Sequence, residues 1–539
     1  MVEKLRRIIE EILGRDEKFD LESGEFTERG HFSTNAAFVL AKKKGISPPE
    51  AAEELRRRIE IAAPAGFISR LRIAGPGFLN FWLAPAVFQA EAREIVRLGK
   101  NYGRVKIKGL AGRKIQLEFV SANPTGPLTL ANGRGGFLGD VLGNVLEAAG
   151  ARVEREYYVN DTGNQILTLG KSILAALGII EHEETFYQGD YVKDWAERNK
   201  PLVKKMASSP EKLGERASAD FLKDIKLVLK STGVVFDRYT SEKKQVAAKK
   251  LPDQAMTLFK KKGLVYESEG AVWLKTTALG DDKDRVLVTK DGHPTYFLDD
   301  AGHYLETKKR GFAKKINILG PDHYGYVSRI QAAASIIGLK ESEVIVTQAV
   351  RVMEDGVETK MSKRRGRFIT FDELVEEVGP DVIRFFFLTV SPDTHLIFDL
   401  ELAKKKANDN PVYYTQYAYV RARSVWEKAK KERMKLKNLK GDALKKTLSS
   451  LESPADRKLI LYLSRFPELV ALTAKDYGVH RFSRYAEELA RAFHNFYERE
   501  RVLGEPEETL FARLYLVQAA LVVFKNLFDL LGLSAPEKM

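Results

Sequence analysis

Two stretches of this 539-residue chain carry residue types and spacings suited to phosphate chemistry. The first runs from Glu118 to Gln165. Its segment Ser121-Ala122-Asn123-Pro124-Thr125-Gly126-Pro127-Leu128 is rich in small residues and prolines and separates an apolar alternation from an amphipathic repeat. A strand that feeds a helix through such a loop brings backbone N–H groups and the positive end of a helix dipole up to a phosphate. The same loop can also serve packing alone. No Walker-type lysine follows it, which argues against a P-loop. The second stretch is Lys360-Met361-Ser362-Lys363, continued by Arg364-Arg365-Gly366-Arg367. Its bland alternative is a solvated basic loop. Its functional reading is a set of ammonium groups on long, mobile stems that grip a polyphosphate as charge builds on it.

The elements that must position these residues follow from periodicity. Ile115, Leu117 and Phe119 alternate as in a strand, and Leu138, Val141, Leu142, Val145 and Leu146 recur at helical spacing. Val153, Tyr157 and Val159 share one face of a second strand. Charged helical sequence fills 185–235. A hairpin signal then follows, Val286-Leu287-Val288 turning at Asp291-Gly292. Beyond it come a strand at 316–319, a helix through Ile330 and Ile337, and a strand at 344–346. Repeated βαβ units predict a doubly wound parallel sheet with its site at the carboxyl ends of the strands. Residues 1–105 read as an α+β domain ending in a strand from Ile73 to Trp82. Residues 106–380 read as the α/β Rossmann-like domain with a helical insertion, and 385–539 as an all-α bundle.

Bulk properties narrow the class. The apolar fraction of 44% is ordinary, and no long uncharged run reads as a membrane span. The acid-rich N-terminus is not a signal or transit peptide. There are no cysteines and the eight histidines are scattered, so neither a disulfide nor a structural metal is expected, and the cytoplasm is the expected compartment. A net charge of +14, with clusters at Lys42–Lys44, Lys363–Arg367, Lys404–Lys406 and Lys428–Lys440, suits an elongated polyanion. Tyr413, Tyr414, Tyr417 and Tyr419 lie among these bases and could stack on unpaired nucleotides. The alternative, a helix core face, applies to about half of them.

Together the two motifs resemble the paired signatures of class I aminoacyl-tRNA synthetases, usually written HIGH and KMSK. The surrounding text resembles the arginyl-tRNA synthetase family over nearly the whole length. The resemblance implies ATP with Mg2+, L-arginine and tRNA(Arg) as substrates, a monomer, and no membrane partner. The first signature falls on Thr129-Leu130-Ala131-Asn132, so Thr129 and Asn132 replace both histidines and Ala131 replaces the glycine. Hydroxyl and amide groups can still donate to phosphate or ribose. By position, Thr129, Asn132, Lys360, Ser362 and Lys363 are the catalytic set, and Ala131, Gly133, His323 and Met361 join them around ATP. Glu118, Ser121 and Asn123 match arginine-pocket positions, and of these Glu118 and Asn123 would orient the α-amino and carboxylate end. Glu242, Tyr296 and Asp300 would hold the guanidinium, which carboxylates grip best in forked hydrogen bonds. Asp161, Gly163 and Gln165 also match, without assigned roles. Phe78 and Asn80 match positions that contact a D-loop base, and Tyr413 and Tyr417 lie in text resembling the anticodon-binding domain.

The function implied is an arginine–tRNA ligase that activates arginine only with tRNA bound. Two other readings stay open at this point. One is a catalytically silent tRNA-binding paralogue, silenced by loss of the histidines. The other is a class I enzyme for another amino acid, which the acidic pocket positions and the absence of zinc ligands argue against.

Overall fold

The computed structural model describes every residue except 15, 24–29, 359–368 and 432–440, and describes only the backbone of Ser23 and Tyr324. The Lys360–Lys363 signature and the Lys363–Arg367 cluster therefore lie outside the described residues.

The N-terminal region packs the helices Val2–Leu13, Ala36–Lys44 and Pro48–Ala62 on an antiparallel sheet ordered Leu21–Ser23, Phe32–Thr34, Phe78–Leu83, Ile68–Ala74. The spacing Ser47-Pro48-Pro49-Glu50 starts the third helix with a capping box, and its prolines occupy positions whose N–H groups need no partner. The single strand expected from Ile73 to Trp82 is instead two strands of a hairpin. Gly75, with a φ of 55°, turns the chain between them, a conformation the pattern of alternating residues does not reveal.

The central region is the doubly wound sheet. Among the described residues its strands lie in the order Glu341–Val346, Lys314–Leu319, Lys114–Glu118, Arg152–Val159, Arg238–Ser241, all parallel. The direction of winding reverses between Lys314–Leu319 and Lys114–Glu118. That is the switch point at which such sheets open a crevice at their carboxyl ends.

The two faces of this sheet differ in chemistry. Ile115, Leu117 and Phe119 are buried toward the helix Leu130–Ala148, and the Phe119 ring fills the space beside Gly139. On the opposite face, Gln116 pairs in register with Lys315 and Glu154, and Glu118 pairs with Asn317 and Glu156. Alternation of this kind ordinarily marks a face turned to water. Here the helix Tyr296–Lys309 covers it, and His303 and Thr307 bond to Glu118 and Gln116.

Insertions complete the region. The helices Asn164–Ala176, Asp190–Arg198, Lys200–Lys205 and Pro210–Ser231 enclose a core of their own around Leu169, Trp195 and Leu213. A small antiparallel sheet of Val265–Ser268, Ala271–Leu274 and Arg285–Val288 follows. Only its last strand was expected. The turn at Asp291-Gly292 returns through a single bridge, Val288 to Pro294, because the next helix begins at Tyr296.

From Pro411 onward the described chain is helical, ending in Glu507–Leu531. That last helix corrects one expectation, since it is long and apolar enough by length and composition to cross a bilayer. It sits in the bundle with Leu514, Val517, Phe524 and Phe528 buried, as a core helix does. Arg384 joins the bundle to the helices of the central region: its buried guanidinium donates to Asp140 at 2.5 Å and to the carbonyls of Thr232 at 2.8 Å and Leu531 at 3.1 Å.

Candidate active site

An open cleft of 1830 Å³ lies at the switch point, lined by the loop after Lys114–Glu118, the carboxyl end of Lys314–Leu319 and the start of the helix Tyr296–Lys309. A pocket for one small ligand holds roughly 300–1,000 Å³. This cleft has room for more than one.

The loop begins under strain. Val120 and Ser121 both take positive φ, 65° and 37°, separated by Phe119 alone from the end of the strand at Glu118. A left-handed conformation costs a residue with a Cβ about 1–2 kcal/mol. The kink folds Ser121 back, so that its hydroxyl donates to Glu118 Oε1 at 3.3 Å and accepts from the Tyr158 N–H at 3.0 Å. Asn123 is exposed on the cleft wall.

Farther on, Thr129 and Asn132 form a capping box at the start of the helix Leu130–Ala148. The Asn132 N–H donates to Thr129 Oγ1 at 3.3 Å, and the Thr129 N–H donates to Asn132 Oδ1 at 3.0 Å. The two residues in the histidine positions therefore build the helix N-terminus they present to the cleft. The Asn132 side-chain NH2 is not used by this box. Ala131 lines the cleft.

Gly133 does not meet the expectation for it. It is buried, and a Cβ there would come within 2.2 Å of the Phe371 ring. Its lack of a side chain serves helix packing rather than approach to a nucleotide. Phe371 also donates its N–H to the Leu128 carbonyl at 3.0 Å. This ties the loop to the segment following the Lys360–Lys363 signature. Glu358 on one side of that signature, and Ile369 and Thr370 on the other, line the cleft. His323 lines it too, with half of its side chain exposed and Nε2 3.4 Å from Asp322.

Carboxylates gather at the other end. Glu242 is buried and accepts from the Tyr158 hydroxyl at 3.0 Å, while Tyr326 donates its hydroxyl to Asp300. Asp299, not singled out from the sequence, lines the cleft beside them. Burial, with Asp299, Asp300 and Asp161 nearby, outweighs the Tyr158 bond and raises Glu242 to about 7. Burial raises Asp299 and Asp300 to about 6. Tyr296, expected on the guanidinium, lines the cleft but is 64% exposed, at its mouth. Asp161 accepts from the Ser241 hydroxyl at 2.6 Å and the Lys243 N–H at 3.0 Å, and so fixes the segment that carries Glu242.

Glu118 behaves oppositely. Burial alone would raise it, but the Lys315 ammonium and His303 beside it hold it well below the usual carboxylate range. Deeper on the same polar face, donor atoms of Glu156, His303 and Glu306 lie within 4.8 Å of one another, a convergence the scattered histidines did not announce. Cations already serve the two glutamates. Arg310 donates to Glu156 at 2.6 Å and to Glu306 at 3.0 Å, and Arg238 donates to Glu306 at 3.2 Å.

Away from the cleft, Phe78 is 42% exposed on its strand, whereas Asn80 is 6% exposed. The burial of Asn80 in the sheet corrects the expectation of a base contact there. On the bundle, Tyr413 and Tyr417 stack at 6.1 Å, and Arg421 donates to the Tyr417 hydroxyl at 2.9 Å while lying over the Tyr417 and Tyr497 rings. Tyr414 and Tyr419 pack against the core instead. The lysine clusters are partly neutralised: Lys43, Lys44, Lys404, Lys405 and Lys430 each pair with a carboxylate. Their sum overstates the free positive surface.

Three family descriptions match the chain in sequence. Residues 1–83 match the arginyl tRNA synthetase N terminal domain, 95–382 the class I (R) tRNA synthetase catalytic domain, and 415–539 the DALR anticodon binding domain. The arginine–tRNA ligase of Desulfosudis oleivorans is 40% identical over 533 residues, covering 96% of this chain and 95% of that protein. That of Syntrophotalea carbinolica is 40% identical over 565 residues, covering 100% of both. The solved arginyl-tRNA synthetase of Thermus thermophilus shares the fold, with a TM-score of 0.76 at 20% identity over 100% of both chains.

Proposed function

Because the chain belongs to the arginyl-tRNA synthetase family of class I enzymes, we propose that this cleft activates L-arginine with ATP and passes it to tRNA(Arg). The carboxylate of arginine attacks the α-phosphorus of ATP, pyrophosphate leaves, and a terminal ribose hydroxyl of the tRNA then takes the arginyl group from AMP. The observation that carries the assignment to this cleft is the trio Glu242, Asp299 and Asp300, whose raised pKa values mark carboxylates lacking a cation of their own. A guanidinium supplies that charge in a planar, forked form.

In this reading Glu118 and Asn123 orient the α-ammonium and carboxylate, with Ser121 steadying Glu118. Glu242 and Asp300 hold the guanidinium, with Tyr296 closing over it at the mouth. The capping-box helix start offers N–H groups and the free Asn132 NH2 to the nucleotide, beside Ala131 and His323. ATP enters as its magnesium complex, with Mg2+ carried by the phosphates rather than by a protein cage. Lys360, Ser362 and Lys363, with Met361 between them, close over the phosphates and stabilise charge on the departing pyrophosphate. Phe78 and the Tyr413–Tyr417 stack meet the tRNA at its outer corner and anticodon.

We further read arginine activation as tRNA-dependent. The hydroxyl of Tyr326 holds one oxygen of Asp300 and so fixes how that carboxylate is offered to a guanidinium, and a shift of Tyr326 on tRNA docking is the change this reading invokes. We read the enzyme as a monomer that works on tRNA in the cytoplasm without a membrane partner.

Arginine-dependent ATP–pyrophosphate exchange, with and without tRNA(Arg), tests this. Exchange only with tRNA is the expected result. Exchange without tRNA overturns the gating, and none under either condition with tRNA still bound returns the silent paralogue. Lys363→Ala is expected to slow adenylate formation while leaving tRNA binding nearly intact.

A further inference from the structure

Glu118 has a partner that the cleft does not expose. Lys315 is fully buried, and its ammonium donates to Glu118 Oε2 at 2.6 Å and to Gln116 Oε1 at 2.7 Å, 5.0 Å from the centre of the Tyr304 ring. Gln116 is itself fixed, because Oε1 also accepts from the Thr307 hydroxyl at 2.8 Å and Nε2 donates to Glu156 at 2.7 Å. The ammonium therefore sits in a socket built for it. His303 Nε2 lies 2.9 Å from Glu118 Oε2 and 3.1 Å from the Lys315 ammonium. One ring nitrogen cannot donate to the first and accept from the second at once. Of the two, the Lys315 ammonium makes the shorter contact with Glu118 Oε2, 2.6 Å against 2.9 Å.

The division of Glu118's oxygens gives the socket a purpose. Oε2 is taken from behind, and among the described residues Oε1 meets only the weak 3.3 Å bond from Ser121 on the cleft side. A buried carboxylate with no cation takes up a proton and stops attracting an ammonium. We propose that Lys315 is a positioning residue for substrate: it keeps Glu118 ionised and held by one oxygen, leaving the other aimed at the α-ammonium of arginine. The inference rests on the assignment of Glu118 to that ammonium. The competing account is a purely structural ion pair that fills the polar face beneath the helix Tyr296–Lys309.

Two ligands separate these accounts. L-Arginine and 5-guanidinopentanoate share the carboxylate and guanidinium, and only arginine has the α-ammonium. Calorimetric binding of both is measured with tRNA(Arg) present, on the full chain and on Glu118→Gln and Lys315→Met. Lys315→Met is expected to lose roughly 10- to 100-fold in affinity for arginine, the size of a charge-assisted hydrogen bond, with the des-amino ligand little changed. Equal weakening of both ligands assigns Lys315 to structure alone and overturns the inference. Glu118→Gln tests the underlying assignment separately. If it keeps the preference for arginine, the reading of Glu118 fails. If it loses that preference while Lys315→Met keeps it, the Lys315 inference alone fails. Should Lys315→Met not fold, Lys315→Gln retains a donor to Glu118 without the charge and gives the same comparison.

Discussion

The two acidic ends of the cleft solve opposite problems. At one end Glu118 faces a fixed ammonium on Lys315 and stays ionised although buried. At the other end Glu242, Asp299 and Asp300 crowd together, with hydroxyls of Tyr158 and Tyr326 on two of them and raised pKa values on all three. A carboxylate already paired with a cation stays ionised and offers a fixed direction for one further bond. An uncompensated group must first lose its proton, and then attracts any cation and penalises its absence. The first arrangement suits an ammonium common to all amino acids, and the second suits the one side chain that carries a permanent charge.

Asp300→Ala strikes the uncompensated end and has the largest expected effect. The arginine KM should rise about 100-fold or more, as when one partner of a buried ion pair is lost, with the ATP KM little changed. Unchanged arginine dependence in exchange assays would place the guanidinium elsewhere. Glu118→Gln keeps shape at the other end, and should weaken arginine by roughly 10- to 100-fold.

The pH profile tells the ends apart without mutation. Protons must leave Glu242, near 7, and Asp299 and Asp300, near 6, before they grip a guanidinium. Arginine affinity should therefore climb as pH rises through that window and level off above it. Each proton released adds at most about tenfold per pH unit. Glu118, held low, is ionised throughout and contributes no slope. A flat profile in calorimetry from about pH 5.5 to 8 would refute the uncompensated trio. Asp299→Asn should have the smallest effect. It removes one of the charges that raise Glu242, so the midpoint should move to lower pH with a change of only a few-fold in affinity above it.

How much of this was legible in the chain varies with the range of the interaction. The capping box of Thr129 and Asn132 spans four residues, and the helix it starts shows its apolar repeat in sequence. The parallel strands could be placed because Ile115, Leu117 and Phe119, or Ile316 and Ile318, alternate locally. Asp300 was found through a resemblance, while Asp299 beside it was passed over, since nothing in two adjacent acids tells which faces a cleft. The hairpin at Gly75 was missed because apolar residues on both sides of Gly75-Pro76-Gly77 were read as one run, although that tripeptide is itself a turn signal, and the two strands at 265–274 because each is four residues long.

Lys315 marks the sharpest limit. In sequence, Lys314-Lys315 opening a strand reads as a solvated pair, and Gln116/Glu118, Glu154/Glu156 and Lys315/Asn317 read as one polar face turned to water. By itself the sequence determined the central strands around the cleft, the helix N-terminus, the family and most of the acids, because those depend on local periodicity and on motif text. Only the tertiary structure decided that the polar face is covered, that its charges answer one another across strands nearly 200 residues apart (|i−j| = 197 for Lys315 and Glu118), and that Gly133 serves Phe371. Burial and electrostatic compensation depend on which groups meet in space, and a one-dimensional pattern of polarity does not contain that.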